Sequence, residues 1–319
     1  MDTRFPSTVL RRFKAAAEAG FLQIAPPHAP WFAEREISPW RELGAWEWLW
    51  LHRANSWGEM AEIFRHTPGI LPSDVVPEED ALAAAREAHQ HHVRAGVGQL
   101  GVRVNGSLEY PQRLREAPDP PEVLFYLGNW DLVHAPRLVS VVGTRAVSER
   151  GMRRTRKLVQ MLVERKCGIV SGLSRGVDAV AHEAAIENGG WTIGVAGSPV
   201  SETDPSASGR LQHQIAAEHL LISPVPVLRY QREKDRAHRM FFGARARLVP
   251  ALAQALIVVE AGEVSGTVLQ AELALRMGRK VFILTSCFDQ PGLSWPAKLE
   301  SRGAVRVREF EQIIAALRT

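Results

Sequence analysis

The stretch GIVSGLSRGVDAVAH, residues 168–182, decides the fold that this sequence predicts. The apolar run at its start is typical of a buried β-strand, and the run AVAHEAAI that ends at residue 186 has the composition of a helix. Between them lie glycines, serines, an arginine and an aspartate, which suit a tight polar turn. A short strand that passes through such a turn into a helix is the building unit of a parallel α/β sheet.

The same alternation of apolar runs and helical segments continues through the second part of the chain. The candidate strands are LVSVV (138–142), GIVS (168–171), TIGVAG (192–197), LLIS (220–223), LIVVE (256–260), VFIL (281–284) and AVRV (304–307). Continuous apolar strands between helices predict an α/β domain with a doubly wound, mainly parallel sheet covered on both faces. Ligands of such sheets bind in the crevice beyond the carboxyl ends of the strands.

The first part of the chain has a different, helical pattern. Residues 46–64 show apolar spacing of helical period, and a long polar helix is predicted over residues 77–96. We therefore predict a small all-helical N-terminal region over residues 1–98 and an α/β domain over residues 99–319. His89, His91 and His92 lie on the polar helix, but only the first and third share a face and no carboxylate completes a ligand set. We expect a solvated helix face there and no metal site.

Charge and composition limit the classes of function. Residues 1–130 carry 13 Lys and Arg against 17 Asp and Glu, whereas residues 131–319 carry 26 against 18. The basic excess coincides with the glycine-rich turns and favours an anionic partner such as nucleic acid or a nucleotide over ordinary surface charge. The N-terminus has no apolar core of a signal peptide, no apolar run could span a bilayer, and the two cysteines lie far apart. We expect a cytoplasmic protein with no disulfide and no cofactor.

Three polar turns at predicted strand ends form the candidate anion site. Glycine in such a turn lets the backbone approach a ligand, and a helix N-terminus presents N–H groups to an anion. Arginine adds a planar donor suited to phosphate. The candidate residues are Gly143, Thr144 and Arg145 after the first of these strands, Ser171, Gly172, Ser174, Arg175 and Gly176 after the second, and Ser265, Gly266 and Thr267 after LIVVE.

Other known phosphate motifs are missing from these turns. None matches the P-loop pattern GxxxxGK[ST] or the dinucleotide fingerprint GxGxxG. Asp178 and His182 are four residues apart and share one helix face, so they could form an acid/base pair. Since no nucleophile or metal-ligand set accompanies them, we favour a structural brace that holds the turn, with no catalytic residue in the chain.

The segment RAHRMFFGARARLVPALAQ, residues 236–254, precedes LIVVE and is predicted to add charge and aromatic surface. Arg245 and Arg247 are two apart near a predicted helix start, so they point to different sides and one could face the crevice. Phe241 and Phe242 precede them and are candidates for base stacking, although either could belong to the core. Basic groups beside aromatic rings are typical of sites for single-stranded nucleic acid.

Together these residues resemble the DprA/Smf family of DNA-processing proteins, part of the SLOG-type Rossmann-like superfamily. The resemblance covers roughly residues 41–310, with an N-terminal part similar to the family's SAM-like domain over about 41–96. The matching stretches are YPQRLREAPDPPEVLFYLGN (110–129), VSVVGTR (139–145), SGLSRGVDAVAH (171–182), GARARLVPALAQALIVVEA (243–261) and SGTVLQAELALRMGRKVFIL, which begins at Ser265 and ends at Leu284.

The resemblance implies an extended Rossmann-like fold that binds single-stranded DNA without catalysis. It implies homodimers that protect incoming DNA and load a RecA-type recombinase onto it in natural transformation. By the resemblance, Arg145 is the phosphate-binding arginine, and the turns 171–176 and 265–267 are the anion cradle. The chain departs from the family pattern at Ala246, where an asparagine is usual, and at Ser206, near a usual basic residue. Many members also carry a winged-helix domain, and we expect none within this sequence, which ends at Thr319.

Two alternatives to a DNA-binding mediator stay open at this level. A nucleotide-sensing SLOG domain of a bacterial defence or signalling system would explain the lost basic positions by a smaller ligand. A nucleotide phosphoribohydrolase of the lysine-decarboxylase-like (LOG) type is disfavoured, because such enzymes place a glutamate three residues after the threonine of a GGxGT turn. Here that position is Gln270, and the nearest acids are Glu263 and Glu272.

Overall fold

In the computed structural model, residues 37–67, 69–203 and 208–317 are described. The strands are β1 (Gly101–Val104), β2 (Val123–Gly128), β3 (Leu138–Val142), β4 (Gly168–Gly172), β5 (Thr192–Val195), β6 (Leu220–Ser223), β7 (Ala255–Val258), β8 (Lys280–Leu284) and β9 (Val305–Val307). All seven strands predicted in the second part of the chain are present, within a few residues of the expected bounds.

Helices connect and cover these strands. They are α1 (Pro39–His52), α2 (Trp57–Arg65), α3 (Glu78–Arg94), α4 (Gln112–Arg115), α5 (Glu149–Glu164), α6 (Val177–Glu187), α7 (Gly209–Glu218), α8 (Val227–Arg232), α9 (Lys234–Leu252), α10 (Gly266–Arg276), α11 (Trp295–Glu300) and α12 (Phe310–Leu317). None of the helices in the described part of the chain combines the length and apolar character that a membrane span needs.

The strands form one mixed sheet in the order β1-β2-β6-β5-β4-β3-β7-β8-β9. The pairs β1–β2 and β2–β6 are antiparallel, and the other neighbouring pairs are parallel. The chain winds outward from β3 to β6 and then returns to place β7 on the other side of β3. This reversal creates a topological switch point between β3 and β7, where a crevice opens beyond the strand ends.

Both faces of the central strands are buried, which explains their continuous apolar runs. In β3, Val139 and Val141 join the cluster beneath α5, α6 and α12, whereas Leu138 and Val142 join the opposite cluster with residues of α9, α10 and α11. The predicted doubly wound α/β class is therefore confirmed, and the switch point marks the edge of the sheet where a ligand site is expected.

The helical region of α1 to α3 shares a hydrophobic cluster with one end of the sheet. Trp46 and Trp50 of α1 pack in the same cluster as Phe125 of β2. Two buried polar side chains, Glu47 and Arg229, join α1 to α8. The Glu47 carboxyl accepts the N–H groups of Val227 and Leu228 at 2.8 and 2.9 Å, while Arg229 donates to the Trp50 carbonyl at 2.7 Å. Burial raises the pKa of Glu47 to about 8.

The histidine cluster of α3 is only partly solvated, which corrects the expected solvated face. His92 is buried and lies beside Phe125, and burial lowers the pKa of its ring to about 4. No group of three or more metal-ligating side chains occurs among the residues that the structure describes. Cys167 and Cys287 are buried and unpaired.

Candidate nucleic-acid interface

The loops that follow β3, β4 and β7 meet at the switch point. The Thr144 backbone N–H donates to the Glu260 carbonyl at 2.7 Å, which joins the loop after β3 to the loop after β7. The Thr144 carbonyl accepts the Val177 N–H at 3.2 Å, which joins it to the start of α6. Turns that are distant in sequence therefore form one surface, as the parallel topology predicts.

Two glycines allow this close approach. A Cβ atom on Gly143 would lie 2.4 Å from Val177 Cγ2 and 2.8 Å from the Glu260 carbonyl oxygen. Gly176 has φ +83°, and a Cβ there would lie 2.2 Å from the Thr144 carbonyl oxygen. Side chains at either position would push the loops apart, so both glycines are needed to shape the edge.

Asp178 lies beneath the loops, at the start of α6. Its carboxylate accepts the Ser174 N–H at 3.3 Å and a hydrogen bond from the Gly143 backbone. Burial raises the pKa of Asp178 to about 6, and the neighbouring Arg245 guanidinium opposes that rise. One carboxyl group thus contacts the loops after β3 and β4 together, which is the set of contacts that a brace requires.

His182 lies one turn further along α6 and is fully buried. Its Nε2 is 2.7 Å from the Gly172 carbonyl and its Nδ1 is 2.6 Å from Thr192 Oγ1. Because a carbonyl can only accept, Nε2 carries the proton. Burial lowers the pKa of His182 to about 4, so the ring is neutral near pH 7. A buried neutral ring with both nitrogens engaged holds β4 to β5 and offers no group to a substrate.

Ser171, Ser174 and Arg245 face inward, and this corrects their expected role as phosphate ligands. Ser171 is buried and donates to the Val141 carbonyl at 2.6 Å. Arg245 is 3% exposed and donates to Ser174 Oγ at 3.0 Å. Arg245 also lies in the middle of α9 and not near a helix start. Direct phosphate contact by these side chains is unsupported, because they are enclosed by the fold that they stabilise.

The aromatic prediction is wrong for Phe241. This side chain is fully buried and packs against Trp50, with ring centroids 4.8 Å apart. It belongs to the core shared by α1 and α9, so it cannot stack on a base. The Phe242 side chain lies outside what the structure describes. Arg247 is half-buried, and its proposed contact with phosphate stays a prediction.

The third predicted turn begins α10. Ser265 is its N-cap and accepts the Val268 N–H at 3.4 Å, and Thr267 is buried in the first turn. Glu263 turns away from α10 and hydrogen bonds the backbone and side chain of Ser294, before α11. Val264, at the tip of this loop, is 97% exposed. The anion-binding role of residues 265–267 stays a prediction.

Arg145 and Arg175 are the cradle residues that reach solvent as charges. Both side chains are exposed, and they follow β3 and β4 at neighbouring positions of the sheet edge. The loops that carry them are held by Thr144, Gly176 and Asp178. The edge therefore combines a rigid backbone with two exposed guanidinium groups, which is an arrangement suited to binding phosphate.

Sequence reasoning missed Glu260, at the end of the LIVVE run. Its carboxylate accepts the Ser148 N–H at 3.2 Å and the Ser148 hydroxyl at 2.8 Å, at the start of α5. A Cβ on Gly151 would lie 2.2 Å from the same carboxylate. The acid at the strand end and the N-cap serine were visible in the sequence, but their pairing depends on the neighbouring positions of β3 and β7.

The fold and the edge define an α/β protein with a Rossmann-like sheet and two exposed arginines at the switch point. A family model described as DNA recombination-mediator protein A matches residues 102–318. The chain therefore belongs to this DNA recombination-mediator family, and the resemblance noted from the motifs is confirmed.

Individual relatives agree with this assignment. The chain is 40% identical over 211 residues to the DNA processing protein DprA of Streptococcus pneumoniae, covering 63% of this chain and 71% of that protein. The X-ray structure of DprA from Streptococcus pneumoniae matches with TM-score 0.64 and 28% identity, covering 88% of this chain and 98% of that one. A Helicobacter pylori structure, titled for the single-stranded-DNA binding mode of DNA processing protein A, matches with TM-score 0.57 and 26% identity, covering 69% and 95%.

The two departures from the family pattern have different outcomes. Ala246 is buried in α9, so its side chain packs within the fold. Ser206 lies outside the described residues, as do the tryptophan at position 31 and the rest of residues 1–36.

Proposed function

We propose that this protein binds single-stranded DNA and acts as a recombination mediator that protects the strand and loads a RecA-type recombinase, as in natural transformation. The proposal rests chiefly on one observation, the exposed Arg145 and Arg175 on pinned loops at the switch point. Membership of the mediator family and the likeness to the Helicobacter pylori protein support it. We further propose that it works in the cytoplasm as a homodimer.

We propose that binding, and no catalytic step, is the function of this edge. Phosphates would be neutralised by the exposed guanidinium groups, while Asp178 and His182 keep the loops in place. Their burial and internal hydrogen bonds support a structural role over an acid/base one. The carboxylates nearest to the position of the LOG-type glutamate are also engaged, Glu263 with Ser294 and Glu272 with Arg302 at 3.5 Å.

Salt-dependent binding of a labelled deoxythymidine oligonucleotide tests the proposal. We expect wild-type affinity to fall steeply with salt, because each neutralised phosphate contributes about −0.7 to the slope of log K against log salt concentration. Arg145→Ala removes one such contact and should make the slope shallower by about 0.7. Fluorescence anisotropy at several salt concentrations measures both quantities.

Arg137→Ala is the matched control for this substitution. Arg137 is also an exposed arginine next to β3, but it precedes the strand and lies at the opposite edge of the sheet. Its removal changes net charge equally and should leave the slope unchanged. Affinity that is independent of salt, or equal effects of the two substitutions, would contradict the proposed site.

A cavity beside the site favours the nucleotide-sensing alternative as a second candidate. It has a volume of about 360 Å³ and lies between the start of α5 and the segment after β8. That volume falls within the range of small-molecule sites. Its lining includes Ser148, Arg150, Arg154 and Ser286, together with the carboxylates Glu260 and Asp289. A nucleotide at about 100 times its Kd would stabilise the fold by about 2.7 kcal/mol. A thermal shift with one nucleotide and no oligonucleotide binding would favour this alternative.

A further inference from the structure

The first turns of α5 carry five exposed cationic side chains, which the structure divides into two groups. Two of the five are paired with acids. Arg153 lies 3.6 Å from the Glu149 carboxylate, and Arg156 contacts Glu183 and Glu187 of α6 at 3.2 and 2.6 Å. These two arginines therefore have structural partners that account for their charge.

The other three cations are Arg150, Arg154 and Lys157, which we call the α5 stripe. Within the described residues, no carboxylate oxygen lies within 4.0 Å of their charged nitrogens. Their spacing of four and then three residues places them on one face of the helix. Like charges at this spacing destabilise a helix by a few tenths of a kcal/mol per pair, a cost that an anionic partner would offset.

The α5 stripe is continuous with the proposed phosphate site. Arg145 lies in the same loop that leads into α5, five residues before Arg150. Arg150 and Arg154 also line the cavity of about 360 Å³ at the sheet edge, whose wall on the other side carries Glu260 and Asp289. From its first to its last residue the stripe spans roughly 10 Å along the helix axis. That length matches about three phosphates at ~3.4 Å per nucleotide of a stacked strand.

We propose that the α5 stripe is a second phosphate-binding surface, over which a single strand continues after it leaves the Arg145 site. This inference rests on the proposed function. The contribution of the α5 stripe to binding should depend on oligonucleotide length. A short oligonucleotide fills the site at Arg145 and Arg175, and only a longer one reaches the stripe. The surface contacts the backbone of the strand through charge. The affinity that it adds therefore depends on oligonucleotide length and salt concentration and not on base sequence.

Two double variants with equal loss of charge test the inference. Arg150→Ala with Arg154→Ala removes two cations of the stripe, and Arg153→Ala with Arg156→Ala removes two paired cations of the same helix. Each is measured against deoxythymidine oligonucleotides of about 6 and about 24 nucleotides, lengths near the lower end of, and above, the range of about 4–16 nucleotides for typical single-strand sites. We expect the stripe variant to weaken binding of the longer oligonucleotide roughly 25-fold at about 0.1 M salt, with a slope shallower by about 1.4.

The outcomes separate the stripe from the site. Unchanged binding of the short oligonucleotide by the stripe variant, together with near wild-type binding of both lengths by the paired-cation variant, would support the inference. Equal effects of the two double variants, or no effect of either, would overturn it. If Arg145→Ala leaves binding of the short oligonucleotide intact, the proposed function itself fails. Circular dichroism confirms that α5 remains folded, which is expected because all four side chains are exposed.

Discussion

The loops after β3 and β4 leave the same edge of the sheet from neighbouring strands, and each exposes one arginine, yet they use their other polar residues differently. After β4, Ser171, Ser174 and Asp178 turn inward and hydrogen bond one another's backbone or the sheet. After β3, the chain exposes Arg145 and continues into the α5 stripe. The comparison teaches that a glycine- and serine-rich turn can be the support of a binding site, while the charges beside it meet the ligand.

Gly176→Ala should give the largest effect, because it tests the support directly. The backbone at Gly176 has φ +83° and ψ −130°, and the new methyl group would meet the Thr144 carbonyl oxygen. Strain and contact together should lower the free energy of unfolding by about 3 kcal/mol. Denaturant unfolding measures the change.

Gly243→Ala is the matched control on α9. Apart from its chain neighbours and the adjacent helix backbone, no atom of the described residues lies within 4 Å of the Cβ that it would add. Alanine should therefore stabilise this helix by about 0.5–1 kcal/mol. Equal stability of the Gly176 variant and the wild type would show that the loop after β4 is not tightly constrained, and would remove the contrast between the two loops.

His182→Gln should change the pH dependence of the free energy of unfolding by a similar amount, and the difference should appear only below about pH 6.5. Between pH 6.5 and about 4 the unfolded state binds more protons than the folded state, because the pKa of buried His182 is lowered to about 4. The free energy of unfolding of the wild type should therefore fall by about 3 kcal/mol more than that of the variant as pH decreases across this window. Glutamine retains a donor for the Gly172 carbonyl and does not titrate.

Measuring both proteins over the same pH range cancels the contribution of His92, which is present in each. Parallel stability curves from pH 7 to 4 would mean that His182 is not held neutral by the fold. The ring would then be accessible to protons, and the case for a purely structural role beside the candidate site would fail.

Arg175→Ala should give the smallest change in stability and a clear change in binding. Arg175 is exposed on the loop after β4, so its removal should alter the free energy of unfolding by less than about 0.5 kcal/mol. The slope of log K against log salt should become shallower by about 0.7. Loss of stability with unchanged binding would make Arg175 part of the support and leave Arg145 as the ligand contact at this edge.

Much of the architecture follows from local pattern. The run LVSVV predicts a buried central strand because five successive apolar or small residues can be covered on both faces, and β3 has these bounds. The turns after β3 and β4 were also visible, since glycine and serine at a strand end favour a tight connection. Spacing alone placed Asp178 and His182 on one face of α6.

The assignment of buried and exposed side chains was harder to obtain. Phe241 and Arg245 lie four residues apart on α9, and both side chains are buried. Phe241 packs against Trp50, and Arg245 hydrogen bonds Ser174. Helical periodicity indicates that residues share a face but not which neighbour covers that face. The expectation that Phe241 stacks on a base failed for this reason.

The sequence by itself determined the strand and helix pattern, the position of the polar turns and the family, because these depend on periodicity, glycine placement and motif spacing. The tertiary structure alone decided which polar groups are used internally. Glu260 contacts Ser148 across 112 positions of sequence, and Arg245 contacts Ser174 across 71. Such pairs form only when the strand order is set, and the strand order also leaves Arg145, Arg175 and the α5 stripe exposed.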